Sequence, residues 1–177
     1  MTDMLIVIDM QRDFVSGCLG SKEAQAIVPA VIHRINECRE AGWTLIATLD
    51  THCEGYMDTP EGRKLPVPHC IKGTPGWQLR EEIAAALGNA VRLVEKPTFG
   101  STALPAIVAE IAGDADHVTI ELLGLCTDIC VVSNALLLKA HFPEAPIAVD
   151  AAGCAGVTPQ AHEAALATMA SCQIQVK

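Results

Sequence analysis

Val118-Thr119-Ile120-Glu121-Leu122-Leu123 runs directly into Gly124-Leu125-Cys126-Thr127-Asp128-Ile129-Cys130 and then into a helical apolar pattern, Val131 to Ala140. The apolar run reads as a buried strand, and the turn after it delivers Cys130 to the first turn of a helix. Unpaired N–H groups and the positive dipole end at a helix N-terminus stabilise a thiolate, the reactive form of cysteine. A small structural cysteine fits the same place. Thr127 and Asp128 stand where N-capping residues stand. The backbone N–H groups of Cys126 and Cys130 can face one pocket and there form an oxyanion hole.

The same strand-then-helix rhythm extends in both directions. Strand-like runs occur at Leu5–Ile8, Thr44–Thr48, Val91–Val94, Val118–Leu123, Ile147–Val149 and Ile174–Val176. Helical patterns lie between them at Ala24–Arg39, Trp77–Leu87, Thr102–Ile111, Asp128–Ala140 and Pro159–Ser171. The strands lack clean in/out alternation, which is the pattern of a parallel sheet covered on both faces. With right-handed crossovers this predicts a three-layer α/β/α, Rossmann-like domain around a six-stranded, mostly parallel sheet. The length, 177 residues, and the lack of repeats, low-complexity tracts or a linker predict a single domain over 1–177.

Half the residues are hydrophobic and 19% are charged, so a packed core is expected. The net charge of −9 argues against nucleic acid or an anionic membrane as the main partner. No apolar stretch reaches the 18 or so residues that span a bilayer, and Met1-Thr2-Asp3-Met4 does not open a secretory signal. A cytoplasmic location is expected by default. The eight cysteines are then read as free thiols, and none forms a C-x-x-C pair that would suggest a zinc ribbon or a thioredoxin-type site.

Ligands of such sheets bind outside the C-terminal strand ends. Asp9, Asp50 and Lys96 stand at three of those ends, and Cys130 lies just past a fourth. A carboxylate beside a thiol can accept its proton, and an ammonium favours the resulting thiolate. The ordinary alternatives are a turn cap for Asp9, a surface charge for Lys96 and a core residue for Cys130. Asp50 and His52 point the same way along an extended segment, and His69 returns from the long segment Asp50 to Gly76. That oxygen/nitrogen set suits zinc, iron or manganese, with Glu61 and Asp58 as further candidates. Phe14 and Phe99 flank the proposed triad and suit a pocket wall as well as a core.

Read together, these segments resemble the isochorismatase-like cysteine hydrolases, especially the nicotinamidase branch. The resemblance begins at Ile8-Asp9-Met10-Gln11-Arg12-Asp13-Phe14, similar to the family's D-x-Q-x-D-F, and passes through Asp50-Thr51-His52. It continues with Pro68-His69-Cys70-Ile71-Lys72-Gly73-Thr74-Pro75-Gly76 and Lys96-Pro97-Thr98-Phe99, and ends with Gly124 to Val131, similar to G-x-A-T-D-x-C-V. It implies Asp9 as general base, Lys96 as charged partner and Cys130 as nucleophile. It also implies a cis peptide between Leu125 and Cys126 that turns the oxyanion N–H groups inward.

Metal binding carries over to Asp50, His52 and His69, with Glu61 in the slot that some relatives fill with another histidine. The implied activity is hydrolysis of a small amide, nicotinamide to nicotinate and ammonia, through a thioester in a homo-oligomer holding a divalent metal, zinc first. Two positions depart from the pattern. Leu65-Pro66-Val67-Pro68 stands where several nicotinamidases carry a ring-stacking tryptophan, and Cys126 replaces the commoner alanine. The competing readings are an amidase of N-carbamoyl compounds or ureido acids, another hydrolase of the family, and a non-catalytic small-molecule binder.

Overall fold

A computed structural model describes residues 2–113 and 118–177 of the chain. Six strands, β1 (Thr2–Ile8), β2 (Thr44–Asp50), β3 (Arg92–Lys96), β4 (Val118–Leu125), β5 (Ile147–Ala155) and β6 (Gln175–Val176), form one sheet. Their order is β3-β2-β1-β4-β5-β6, and every pairing is parallel, so the expectation of a mostly parallel sheet sharpens to an all-parallel one. Met4 to Ile8 are completely buried, which explains why β1 reads as a continuous apolar run rather than an alternating one.

The helices are α1 (Arg12–Val15), α2 (Lys22–Ala26), α3 (Val28–Glu40), α4 (Pro60–Lys64), α5 (Glu81–Leu87), α6 (Leu104–Ala112), α7 (Val132–His141) and α8 (Pro159–Ser171). α3 packs on α5, whereas α7 packs on both α6 and α8. With right-handed crossovers these two sets cover opposite faces of the sheet. No helix among the described residues is long and apolar enough to cross a membrane.

Three expected helices are corrected. The pattern Ala24–Arg39 is split between α2, whose N-cap Ser21 accepts the Ala24 N–H at 2.9 Å, and α3. Pro29 has no N–H to continue the first segment, yet it is tolerated in the opening turn of the second. Helix Trp77–Leu87 is reduced to α5. Residues 78–80 are held extended instead, because Arg12 N–H donates to Gln78 O and Arg80 N–H to Met10 O, both at 2.9 Å. The helix expected from Asp128 begins as a π-helical turn, Thr127–Val131, before α7.

The strand order reverses between β1 and β4, and there the two strands come unusually close. A Cβ placed on Gly124, whose φ is +124°, would lie 2.1 Å from Ile8 O. Only glycine fits this crossing, which brings the residues after β1 and β4 together. The peptide between Leu125 and Cys126 is cis, as the resemblance implies.

In the middle of β4, Glu121 is a buried carboxylate. Its Oε2 accepts from Arg34 Nη2 at 2.9 Å and from Lys177 Nζ at 2.6 Å. Burial alone would raise its pKa, but Arg34 and Lys177 more than offset that and hold it below the usual carboxylate value. Arg34→Ala is therefore expected to destabilise the fold, read by denaturant titration, but by less than the about 3–5 kcal/mol of a fully unpaired buried charge, because Lys177 remains beside Glu121. A carboxylate lowered in the folded state stabilises fully above its unfolded pKa, and that contribution is lost as pH falls through the folded value. The gap between wild type and Glu121→Gln should accordingly shrink on acidification below about pH 4.3. A gap independent of pH would contradict the assignment.

Candidate active site

Asp9 is the first residue past β1 and turns the chain with φ +47°. Its backbone N–H donates to Thr48 Oγ1 at 3.2 Å, and that hydroxyl donates back to Asp9 Oδ1 at 2.6 Å. Lys96 ends β3, registered opposite Asp50 of β2. Its side chain is completely buried, and Nζ lies 2.6 Å from Asp9 Oδ2, 3.3 Å from Asp50 Oδ1, 3.4 Å from Cys130 Sγ and 3.1 Å from Thr98 O. The structure thus brings Asp9, Lys96 and Cys130 into one buried cluster, which discards the surface-charge reading of Lys96.

The charges in this cluster follow from burial. Desolvation works against the Lys96 ammonium, but Asp9, Cys130 and Asp50 outweigh it and raise its pKa. Burial raises the Asp9 pKa, with Lys96 opposing. Burial raises the Cys130 pKa well above the ordinary thiol value, Asp9 adds to this, and Lys96 only partly offsets it. Burial thus works against the thiolate that a helix N-terminus favours. Cys130 lies buried inside a π-helical turn, with the Asp9 carboxylate beside it.

Thr127 and Asp128 do not cap that turn; they tie it to the start of α8. Thr127 Oγ1 lies 2.8 Å from His162 Nδ1, and Asp128 Oδ1 accepts the Val157 N–H at 3.0 Å. The N–H groups of Ile129 and Val131 both donate to Cys126 O at 3.1 Å. Buried Asn134 completes the frame, donating to Cys130 O at 2.8 Å and accepting the Ser101 N–H at 2.9 Å.

Beside Lys96, Asp50, His52 and His69 offer ligand atoms that lie within 4.8 Å of one another. Asp50 Oδ2 is 3.0 Å from His52 Nε2 and 3.5 Å from His69 Nε2. Glu61 Oε1, from α4, stands 3.7 and 3.9 Å from the same two nitrogens, whereas Asp58 is exposed. His69 Nδ1 is engaged by Val67 O at 2.8 Å, which leaves Nε2 as the free donor atom. His52 Nε2 is buried without a hydrogen-bond partner, an arrangement that costs free energy unless something else binds it. The donor set and this orphaned nitrogen fit a divalent cation of the zinc, iron or manganese kind. The Tyr56 ring packs against both imidazoles, with centroids 4.7 and 5.0 Å away, and Phe14 lies 5.4 Å from that of His69.

Both groups border one cavity of about 350 Å³. Phe14, Phe99, Leu65, Leu125 and Ile129 supply apolar wall, and Cys126 adds a thiol that burial pushes up to about 12. Asp50, Glu61 and His69 form one side, Cys130 lies at the lining, and no Arg or Lys is among the described residues of the wall. Thr48, Asn134 and His162 escaped the sequence reading, since none sits in a motif that marks them. Their roles come from tertiary contacts alone.

A family profile described as the isochorismatase domain matches residues 3–176. The chain is 31% identical over 144 residues to the uncharacterized isochorismatase family protein PncA of Bacillus subtilis strain 168, covering 77% of this chain and 78% of that protein. It superposes on the crystal structure of the nicotinamidase/pyrazinamidase PncA from Bacillus subtilis with a TM-score of 0.85 at 27% identity, covering 99% of each chain. The pyrazinamidase of Pyrococcus horikoshii in complex with zinc gives a TM-score of 0.84 at 27% identity, over 100% of this chain and 99% of that one.

Zinc titrated calorimetrically into metal-free protein is expected to saturate at a single ion per chain. His52→Ala and His69→Ala each remove a donor and should weaken binding by more than the ~10–100-fold that loss of an outer-shell partner costs. Unchanged affinity in both variants would place the ion elsewhere.

Proposed function

The chain belongs to the isochorismatase family, and on that premise we propose that it is a cysteine amidohydrolase of the nicotinamidase kind, converting nicotinamide and water to nicotinate and ammonia. The observation that carries the reading is the buried contact of a carboxylate, an ammonium and a thiol, Asp9, Lys96 and Cys130, of which Cys130 lines the cavity.

In this reading Asp9 takes the thiol proton as Cys130 Sγ attacks the amide carbonyl. Lys96 stays charged throughout and offsets the negative charge that passes between Asp9, the sulfur and the substrate oxygen. That oxygen is received by the N–H groups of Cys126 and Cys130. Collapse of the tetrahedral intermediate breaks the C–N bond, Asp9 returns the proton to the departing ammonia, and a thioester remains. Water then attacks the thioester with Asp9 again as base, which frees the acid and restores the thiol. Asp50, His52 and His69, with Glu61 alongside, would hold a divalent ion, zinc by preference, which when bound supplies a Lewis acid for a ring nitrogen or a water.

The charge of the cavity selects among amides. Its wall carries Asp50 and Glu61 and, among the described residues, no cationic side chain. A neutral amide enters without needing a charged partner, whereas N-carbamoyl amino acids, ureido acids and isochorismate bring carboxylates to a wall with no Arg or Lys side chain to pair with them; a bound divalent ion would offset the charges of Asp50 and Glu61. Leu65 stands in the wall, and Leu65-Pro66-Val67-Pro68 supplies no stacking tryptophan, which leaves Phe14 and Phe99 as the aromatic surfaces for a substrate ring.

Cys130→Ala is expected to lower ammonia release by roughly 10⁴-fold or more and to abolish an acyl adduct that mass spectrometry detects on the wild type. Full turnover in the variant would exclude the thioester route. A wild type that binds ligands but has a thiol inert to alkylation at neutral pH would be a binding protein instead.

In an ammonia-release screen, nicotinamide and pyrazinamide should be hydrolysed and carbamoyl amino acids should not. Robust release from a carbamoyl amino acid with silence on nicotinamide would reverse the substrate assignment and leave the cysteine chemistry standing.

A further inference from the structure

Asp50 divides its carboxylate between two groups, with Oδ1 facing the Lys96 ammonium and Oδ2 facing the imidazoles of His52 and His69. A rotation or shift of its backbone would gain one neighbour and lose the other. β1 does not hold that backbone by ordinary sheet pairing. Its register with β2 ends at Val7 opposite Ala47, because the chain turns away at Asp9.

Gln11 fills the gap. Its side chain is completely buried; Oε1 accepts the Asp50 N–H at 2.7 Å, and Nε2 donates to Asp50 O at 2.8 Å. The second Nε2 hydrogen goes to Trp77 O at 2.7 Å. Trp77 in turn donates from Nε1 to Thr51 Oγ1 at 2.9 Å, so the residue after Asp50 is fixed as well. Both amide hydrogens and the carbonyl are used, which dictates the amide orientation. The carboxamide thus replaces a missing strand neighbour at the one residue shared by the two halves of the site.

We propose that Gln11 is a positioning residue that, by holding both backbone groups of Asp50, sets how the Asp50 carboxylate is shared between Lys96 and the two imidazoles. The proposal rests on the reading of Asp50 as a metal ligand and as a partner of the Lys96 cluster. Gln11→Met keeps the length and removes all three hydrogen bonds. Gln11→Glu keeps the shape and the bond from Asp50 N–H but turns a carboxylate oxygen toward two carbonyls, and it carries the test if the Met variant folds poorly.

Zinc binding to metal-free protein should weaken ~10–100-fold in the folded Gln11 variants. The rate at which iodoacetamide alkylates Cys130 in metal-free protein should change several-fold in the same variants. Glu121→Gln serves as the structural control: it should lower the melting temperature from the middle of β4, away from the Asp50 contacts, and leave both readouts where they are. Folded Gln11 variants that match wild type in zinc affinity and in alkylation would overturn the proposal. So would Glu121→Gln moving both readouts as far, since the effect would then be one of stability. A wild type that binds no zinc removes the metal reading, and alkylation alone then decides for or against Gln11. A wild type inert toward nicotinamide, with both Gln11 effects present, overturns the substrate and keeps the positioning role.

Discussion

The Lys96 ammonium is the constraint around which the site is arranged. Its side chain has no exposure to water, and removing a charge of that size from solvent costs several kcal/mol unless partners replace the lost hydration. The partners are Asp9 from the end of β1, Asp50 from β2, Cys130 from the turn after β4 and the carbonyl of Thr98. They meet because β3, β2, β1 and β4 are consecutive in the sheet. Strand order, the close crossing at Gly124 and the turn at Asp9 are therefore demands of one buried charge as much as features of a fold. The same arrangement sets the chemistry: a fixed positive charge lets a proton move from sulfur to carboxylate without the cluster changing its total charge.

Much of the fold was legible because parallel sheets carry a strong local signal. β1 to β6 each overlap an apolar run in the sequence; the four inner strands do so because a strand buried on both faces has to be apolar at nearly every position, whereas the edge strands β3 and β6 are largely exposed. Local pattern failed where a tertiary contact outranked it. Residues 78–80 continue the periodicity of α5, yet Arg12 and Met10 draw them into extended pairing. Ala24 to Arg39 keeps a helical period across the break before Val28, and periodicity alone does not register the N–H missing from Pro29. α4 lay unseen within the segment Asp50 to Gly76, where its signal is a short turn capped by Thr59 rather than an apolar face.

The site was legible in its reactive groups and not in its supports. Asp9, Lys96, Cys130, Asp50, His52 and His69 stand out because their chemistry is specific and their places at strand ends follow from the fold. Thr48, Asn134 and His162 have polar side chains of the commonest kind, and only their burial and partners give them roles. The surroundings of Cys130 were hidden for a related reason. A helix N-terminus argues for a thiolate, but the sequence does not reveal how completely the turn is enclosed, and desolvation is the larger effect.

The loop that carries His69 also builds the wall of the cavity, and this links metal binding to substrate binding without a separate device. Leu65, Glu61 and His69 all face the cavity from the segment after β2. Protein contacts fasten that segment near its ends: His52 N–H and Lys72 N–H bridge to Cys70 O and His52 O, and Asp13 accepts the Cys70 N–H at 2.8 Å. Between them, the imidazoles and Glu61 converge on Asp50, where groups that each carry lone pairs or negative charge gain from a shared cation. An ion held by these groups would tie the wall to the end of β2, and its binding free energy would contribute to ordering the segment. Asp50 transmits this to the Lys96 cluster through the other oxygen of the same carboxylate. The shape of the pocket and the charge balance at the thiol are, on this geometry, two consequences of one side chain's position.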